Sequence, residues 1–262
     1  MKFIDSHCHF DFEAFSLDRD QVWQRCLNAG IDRVIIPGVC EAQWQSLGAL
    51  VSEQPGWMMA AGVHPWWVKK IPQDSRWREN LMELGVRLSE SLEKYSCVAV
   101  GECGLDASIG TDLNKQEDIL KLHLEIASNH ELPIILHVHR AHNELLRLLK
   151  QFKLPRGGVI HAFSGSEQMA QEYWKRGFYL GIGGTITYPR AAKTRRAVSR
   201  APLESLLLES DAPDMPLSGQ QGMRNSPENL SKIAQALADL RGVSVREIAN
   251  ATCRNTEKLF SL

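Results

Sequence analysis

Short β-branched or apolar runs recur along the chain and alternate with longer amphipathic stretches. The runs lie at 2–4, 33–37, 58–63, 97–101, 133–136, 158–160, 178–183 and 205–208, and each reads as a strand bounded by turn residues. Between them, stretches such as 18–29, 77–94, 115–130, 143–152, 167–176 and 227–240 return apolar residues at helical spacing. Eight strand–helix units in about 240 residues match a closed parallel barrel better than an open sheet. A last helix over 245–260 caps the fold. The expected architecture is α/β, a (β/α)8 TIM barrel, as a single domain over residues 1–262. The loop 215–226, rich in Gly, Ser and Gln, is the expected mobile flap after the eighth strand.

Composition narrows the class only a little. A chain of 262 residues buries a core without disulfides or a structural metal. Its net charge of −1 gives no general field for polyanions, so any nucleic-acid affinity must come from a local patch or from bound metal. The six cysteines form no CxxC pair and read as reduced, mostly buried thiols of a reducing compartment. No run approaches the roughly 18 apolar residues of a membrane helix, and the chain starts directly on a strand without a leader pattern. A cytoplasmic protein without membrane contact or obligate protein partner is expected.

Chemistry gathers where the strands end. FIDSHCH places His7 and His9 after the first run, VAVGECGLD places Glu102, PIILHVH places His137, GVIHAF places His161, and LLLESD places Asp211. His7 and His9 are two apart, so in extended backbone both imidazoles leave one face while Cys8 points away. Any one of these residues is commonplace. Six ligand types at five strand ends imply convergence on one rim of the barrel. Four imidazoles and two carboxylates exceed the three protein ligands usual for a single catalytic zinc. They suit two ions roughly 3.5–4 Å apart, with His7, His9, Glu102 and Asp211 on one and Glu102, His137 and His161 on the other. The mixed nitrogen and oxygen set suits Zn, Mn, Ni or Co, and Mg more weakly.

The motifs FIDSHCH, GVHP, GECGLD, LHVHRA, HAFSG, GIGGTITY and LLLESDAP, spread over the whole chain, resemble the TatD branch of the metal-dependent amidohydrolases. The resemblance implies a (β/α)8 barrel, a divalent-metal centre and deoxyribonuclease activity, including 3′→5′ exonuclease action on single strands. It also implies that Glu102 bridges the metals where other amidohydrolases use a carbamylated lysine. Departures fall at Ala162, where the family commonly has cysteine, at Asp214 in place of an aromatic, and at His139. All three bear on substrate preference.

The expected reaction is hydrolysis of DNA phosphodiester bonds at single strands or ends by a metal-bridged water, without a covalent intermediate. Asp211 is the expected proton acceptor and Glu102 the expected bridging ligand. His64 is expected to donate to a phosphate oxygen or protonate the leaving alkoxide, or else to pack a loop. Arg140, following the His137 strand, is the expected phosphate contact. Trp66 and Trp67 either stack on bases or cover the barrel mouth. Lys69, Lys70, Arg190 and Arg224 are further basic loop residues, whereas the run Arg190 to Arg200 reads as a solvated helix face. Asp106 reads as a turn-holding acid, His123 and His130 as surface residues, and His139 and His142 as groups near the mouth. Ser164 and Gly165 offer backbone N–H groups to an anion. The same dinuclear site could instead hydrolyse a small-molecule ester, lactone or amide. A barrel that has lost its chemistry is a third reading, disfavoured because all six ligands are present.

Overall fold

A computed structural model describes all 262 residues. Eight strands follow one another in chain order in one sheet, and every strand leads into a helix before the next begins. Burial is continuous along five of the eight strands, the first, fourth, sixth, seventh and eighth in chain order. Parallel strands covered on both faces require that pattern.

Two compact units divide the chain. The first comprises Met1–Ile36, Gln54–Met58 and Ile160–Leu262. It holds strand β1 (Phe3–Asp5), most of β2 (Ile31–Pro37), β7 (Phe178–Ile182) and β8 (Leu206–Leu208). Its helices are α1 (Arg19–Asn28), α6 (Glu167–Trp174), α7 (Ala192–Arg200), α8 (Leu230–Arg241) and α9 (Val245–Phe260). The second unit comprises Pro37–Glu53 and Met59–Val159. It holds most of β3 (Trp57–Ala61), β4 (Ala99–Asp106), β5 (Ile134–His139) and the start of β6 (Gly158–Ile160). Its helices are α2 (Glu41–Ser52), α3 (Trp77–Lys94), α4 (Leu113–Asn129) and α5 (His142–Leu149).

Local chemistry explains several boundaries. α9 opens on Ser244, whose hydroxyl accepts from Glu247 N, in an S-x-x-E capping sequence. α8 stops at Gly242, which takes φ +66°. α3 and α9 span the residues expected, while α2 fills an interval that the helical spacing left unassigned.

β4 departs most from expectation. It does not stop at Gly101 but continues to Asp106, so Glu102 lies within the strand rather than at its end. Gly101 and Gly104 take φ +134° and +150° and let β4 run against β5. A Cβ at Gly104 would sit 1.9 Å from the His137 carbonyl oxygen, so only glycine fits there. The strand pairing shifts register between Val100 and Cys103, then places Gly104 opposite His137 and Asp106 opposite His139.

His123 overturns its surface expectation. It lies fully buried on the apolar face of α4 with Ile119, Leu120, Leu124 and Ala127. Its Nε2 accepts from Val63 N at 3.0 Å and its Nδ1 donates to Ile119 O at 2.7 Å. Burial pushes this imidazole down to about 4 from its ordinary 6.5, against the pull of the Ile119 carbonyl. The helical spacing already placed His123 in the apolar stripe; only its residue type suggested otherwise. His130 caps the C-terminus of α4 and is half-buried.

Candidate metal centre

One cluster of metal-ligand side chains is built past the ends of β1 and β8. Asp211 N donates to His7 O at 2.9 Å and His9 N to Ala212 O at 2.8 Å, so backbone bonds lock the HCH segment to the DAP segment. Buried Asp5 reinforces the joint, its Oδ1 accepting from Ser210 N and His7 N. Burial raises Asp5 to about 7 against these hydrogen bonds, and the nearby Glu209 charge adds to the rise. Three donor atoms then converge. His7 Nε2 lies 3.3 Å from His9 Nε2, and Asp211 Oδ1 lies 3.5 and 3.7 Å from the two imidazoles. Asp211 takes φ +56°, an uncommon backbone state for a residue with a side chain. Cys8 points away as expected: its thiol reaches Ala212 O, and burial raises it well above the ordinary thiol range.

His161 stacks on His7 with ring centroids 4.0 Å apart. Its Nδ1 lies 3.5 Å from Glu209 Oε1, which also accepts from Ala162 N. Sequence reasoning passed over Glu209, although it stands two residues before Asp211 in the same LLLESD motif. Its Oε2 is buried without a hydrogen-bond partner, and Gly181 leaves it room, since a Cβ there would sit 2.0 Å from that oxygen.

A second cluster gathers β3, β4 and β5. Glu102 Oε1 lies 3.5 Å from His64 Nε2 and 3.3 Å from His137 Nδ1. His64 was expected to stand outside the ligand set; here it has a ligand's distance from Glu102. Its Nδ1 accepts from Trp66 N, which leaves Nε2 as the nitrogen facing the carboxylate. Asp106 holds a turn by accepting from Ser108 N and Oγ, as expected. It also does more: Oδ2 accepts from Trp66 Nε1 at 3.0 Å and lies 3.5 Å from His137 Nε2. Burial opposes ionisation there, but hydrogen bonds from His137, Ser108 and Trp66 outweigh it and hold Asp106 well below the usual carboxylate range. His139 sits beside Asp106 and Ser108 on the exposed side, and half-buried His142 opens α5.

Other expected residues fall outside both clusters. Arg140 is exposed directly after β5 at φ +55°. Arg224, a basic loop residue, is engaged: both of its terminal nitrogens pair with the Asp18 carboxylate. That pairing, together with buried Asn225 donating to Ser210 O and Met215 O, fastens the loop expected to be a flap. Arg190 lies over the Tyr188 ring and Arg200 pairs with Glu167, and Arg195 donates to Ile186 O. Ser164 is exposed with its hydroxyl against Thr194, and Gly165 is buried beside Phe163.

The model of the TatD related DNase family matches residues 4–261. The chain belongs to that family. It is a metal-dependent hydrolase with the TIM-barrel fold of the TatD proteins. It is 42% identical over 265 residues to the uncharacterized metal-dependent hydrolase YjjV of Escherichia coli K12, covering all of this chain and 98% of that one. The crystal structure of that TatD homologue superposes with a TM-score of 0.91 over 99% of this chain and 98% of the other. The 3′-5′ ssDNA/RNA exonuclease TatD of Citrobacter rodentium is 35% identical over 95% of this chain and 94% of its own length. A TatD family hydrolase from Entamoeba histolytica, 20% identical, shares the fold at a TM-score of 0.82 over 99% of this chain and 98% of that one. No helix is long and apolar enough to cross a membrane.

Proposed function

We propose that the chain is a divalent-metal-dependent deoxyribonuclease that hydrolyses phosphodiester bonds at single strands or DNA ends, with one cation at each cluster. Donor spacing carries the reading. Within the clusters the converging atoms stand 3.3 to 3.7 Å apart. Ligands at 2.0–2.1 Å from a tetrahedral ion would be about 3.4 Å from one another. His7, His9 and Asp211 would hold one ion, with His161 and Glu209 alongside. Glu102, His137 and His64 would hold the other.

Such cations, when bound, supply Lewis acidity and make water a nucleophile near neutral pH. The chain's own groups do the rest. Asp211 accepts the proton of the attacking water and returns it to the leaving oxygen. Asp106 orients the His137 ring through Nε2, as outer carboxylates do for ligating imidazoles. Arg140, exposed after β5, offers a charge to the strand's phosphate. The single-strand preference leans on the Citrobacter relative, whose name states that activity.

The test is purified protein stripped with EDTA and reloaded separately with Zn, Mn, Mg, Ni or Co, then given end-labelled single- and double-stranded DNA beside a panel of carboxylic esters and lactones. DNA cleavage should vanish with EDTA and return with metal, at about two equivalents per chain by elemental analysis. Metal-loaded protein that hydrolyses the esters and leaves DNA intact would overturn the proposal.

A further inference from the structure

The segment after His64 forms a 3-10 helix over Pro65–Lys70. Three residues per turn put positions i and i+3 on one side, about 6 Å apart along the axis. Trp66 is thereby matched with Lys69, and Trp67 with Lys70, while buried Val68 roots the turn. Each pair faces its own cavity. Trp66 and Lys69 line one of 640 Å³ with Gln73 and the turn after Asp106. Trp67 and Lys70 line another of 710 Å³ beside Val63 and Arg87.

The tryptophans are 57% and 36% exposed, and both lysines are exposed. Adjacent indoles left in water are costly unless something stacks on them. Acids in the same walls are already engaged. Glu41 pairs with Arg87 at 2.5 Å, Glu83 lies against Arg76 and Arg87, and Asp112 caps α4 by accepting from Asn114 N. The turn is also tied to the second cluster. His64 Nδ1 caps its first N–H while the same ring faces Glu102, and Trp66 donates to Asp106 beside His137.

We propose that this turn is a two-step platform for single-stranded nucleic acid beside the cleaved bond, with bases stacked on Trp66 and Trp67 and their phosphates at Lys69 and Lys70. The inference rests on the nuclease reading and adds how the strand is held. Each pair offers a π face next to a cation, the combination by which single strands are bound with little regard to sequence. It also adds local positive charge to a chain whose net charge is −1.

The experiment compares metal-loaded wild type with Trp67→Ala, Trp67→Phe and Lys70→Ala. Binding of fluorescein-labelled oligothymidylate is followed by anisotropy, and turnover of DNA is set beside turnover of bis(p-nitrophenyl) phosphate, a diester too small to reach the platform. Trp67→Ala should weaken oligothymidylate binding and raise KM for DNA about tenfold. Trp67→Phe should recover most of that loss. Lys70→Ala should make the dependence of log affinity on log salt shallower by about 0.7. kcat on the small diester and the thermal midpoint should stay at wild-type values. Photocrosslinking of an iodouracil-substituted strand should label the peptide carrying Trp66 and Trp67. DNA cleavage with unchanged KM and salt slope in the variants would overturn the platform and leave the nuclease reading standing. A wild-type protein that crosslinks at this turn but cuts no phosphodiester would support the platform and overturn the nuclease reading.

Discussion

At the scale of single residues, Asp211 and His123 show how burial is put to different uses. Asp211 is held by its own backbone bond to His7 O and reaches both imidazoles of the HCH segment. Replacing it with asparagine keeps the shape and removes the proton acceptor, so turnover should fall by about 10²–10⁴. Metal content measured on the same sample separates loss of the acceptor from loss of an ion. Glu102→Ala, by contrast, should lower metal content as well as turnover. His123 has no part in either cluster, and its effect is on stability. Its neutral ring is preferred in the fold, with a value near 4 against an ordinary 6.5. The unfolded chain therefore binds the proton first as pH falls. The stability due to His123 is complete above about 6.5, is lost progressively toward about 4, and amounts to about 3 kcal/mol. His123→Gln keeps an acceptor for Val63 N without the titration. Denaturant unfolding from pH 7 to 4 should give it a shallower acid limb than wild type, by about one proton between those values.

Among the elements, β4 carries the sharpest constraint. Gly104 takes φ +150° with the His137 carbonyl where a side chain would go. Gly104→Ala should cost at least about 2 kcal/mol through backbone strain and steric displacement, and should reduce metal uptake because β5 carries His137. Gly110 has open space around it, so Gly110→Ala is the matched control, with a change within about 0.5 kcal/mol in urea titration. The same element marks where sequence reading stopped short. The alternation of elements was visible because buried parallel strands are apolar throughout and helices are not, which is why α3, α9 and β6 fell where expected. The end of β4 was not visible, because glycines that break most strands here permit a close approach between neighbours. That His7 and His9 gather with Asp211, and Glu102 with His137, was legible from their places near strand ends. Glu209 and the ligand-like distance of His64 were not: nothing in a motif says which of two nearby acids turns inward, or that a capping imidazole also faces a carboxylate.

Taken as a whole, the molecule has almost no net charge and places its buried charge in two clusters of carboxylates and imidazoles. Metal that binds only the folded chain stabilises it by mass action, about 2.7 kcal/mol at a concentration one hundred times the dissociation constant. The thermal midpoint should therefore climb steadily with added Mn or Zn and drop on EDTA treatment. A midpoint indifferent to both would argue against cation occupancy. One hydrogen bond lends itself to watching that occupancy directly. Trp66 donates to the Asp106 oxygen that also lies 3.5 Å from His137 Nε2, so the indole emission should shift in colour and intensity as the ion arrives, giving an optical titration with no label attached. Of the seven tryptophans, only this one is hydrogen-bonded to Asp106, and Trp66→Phe should abolish the signal while the other six continue to glow.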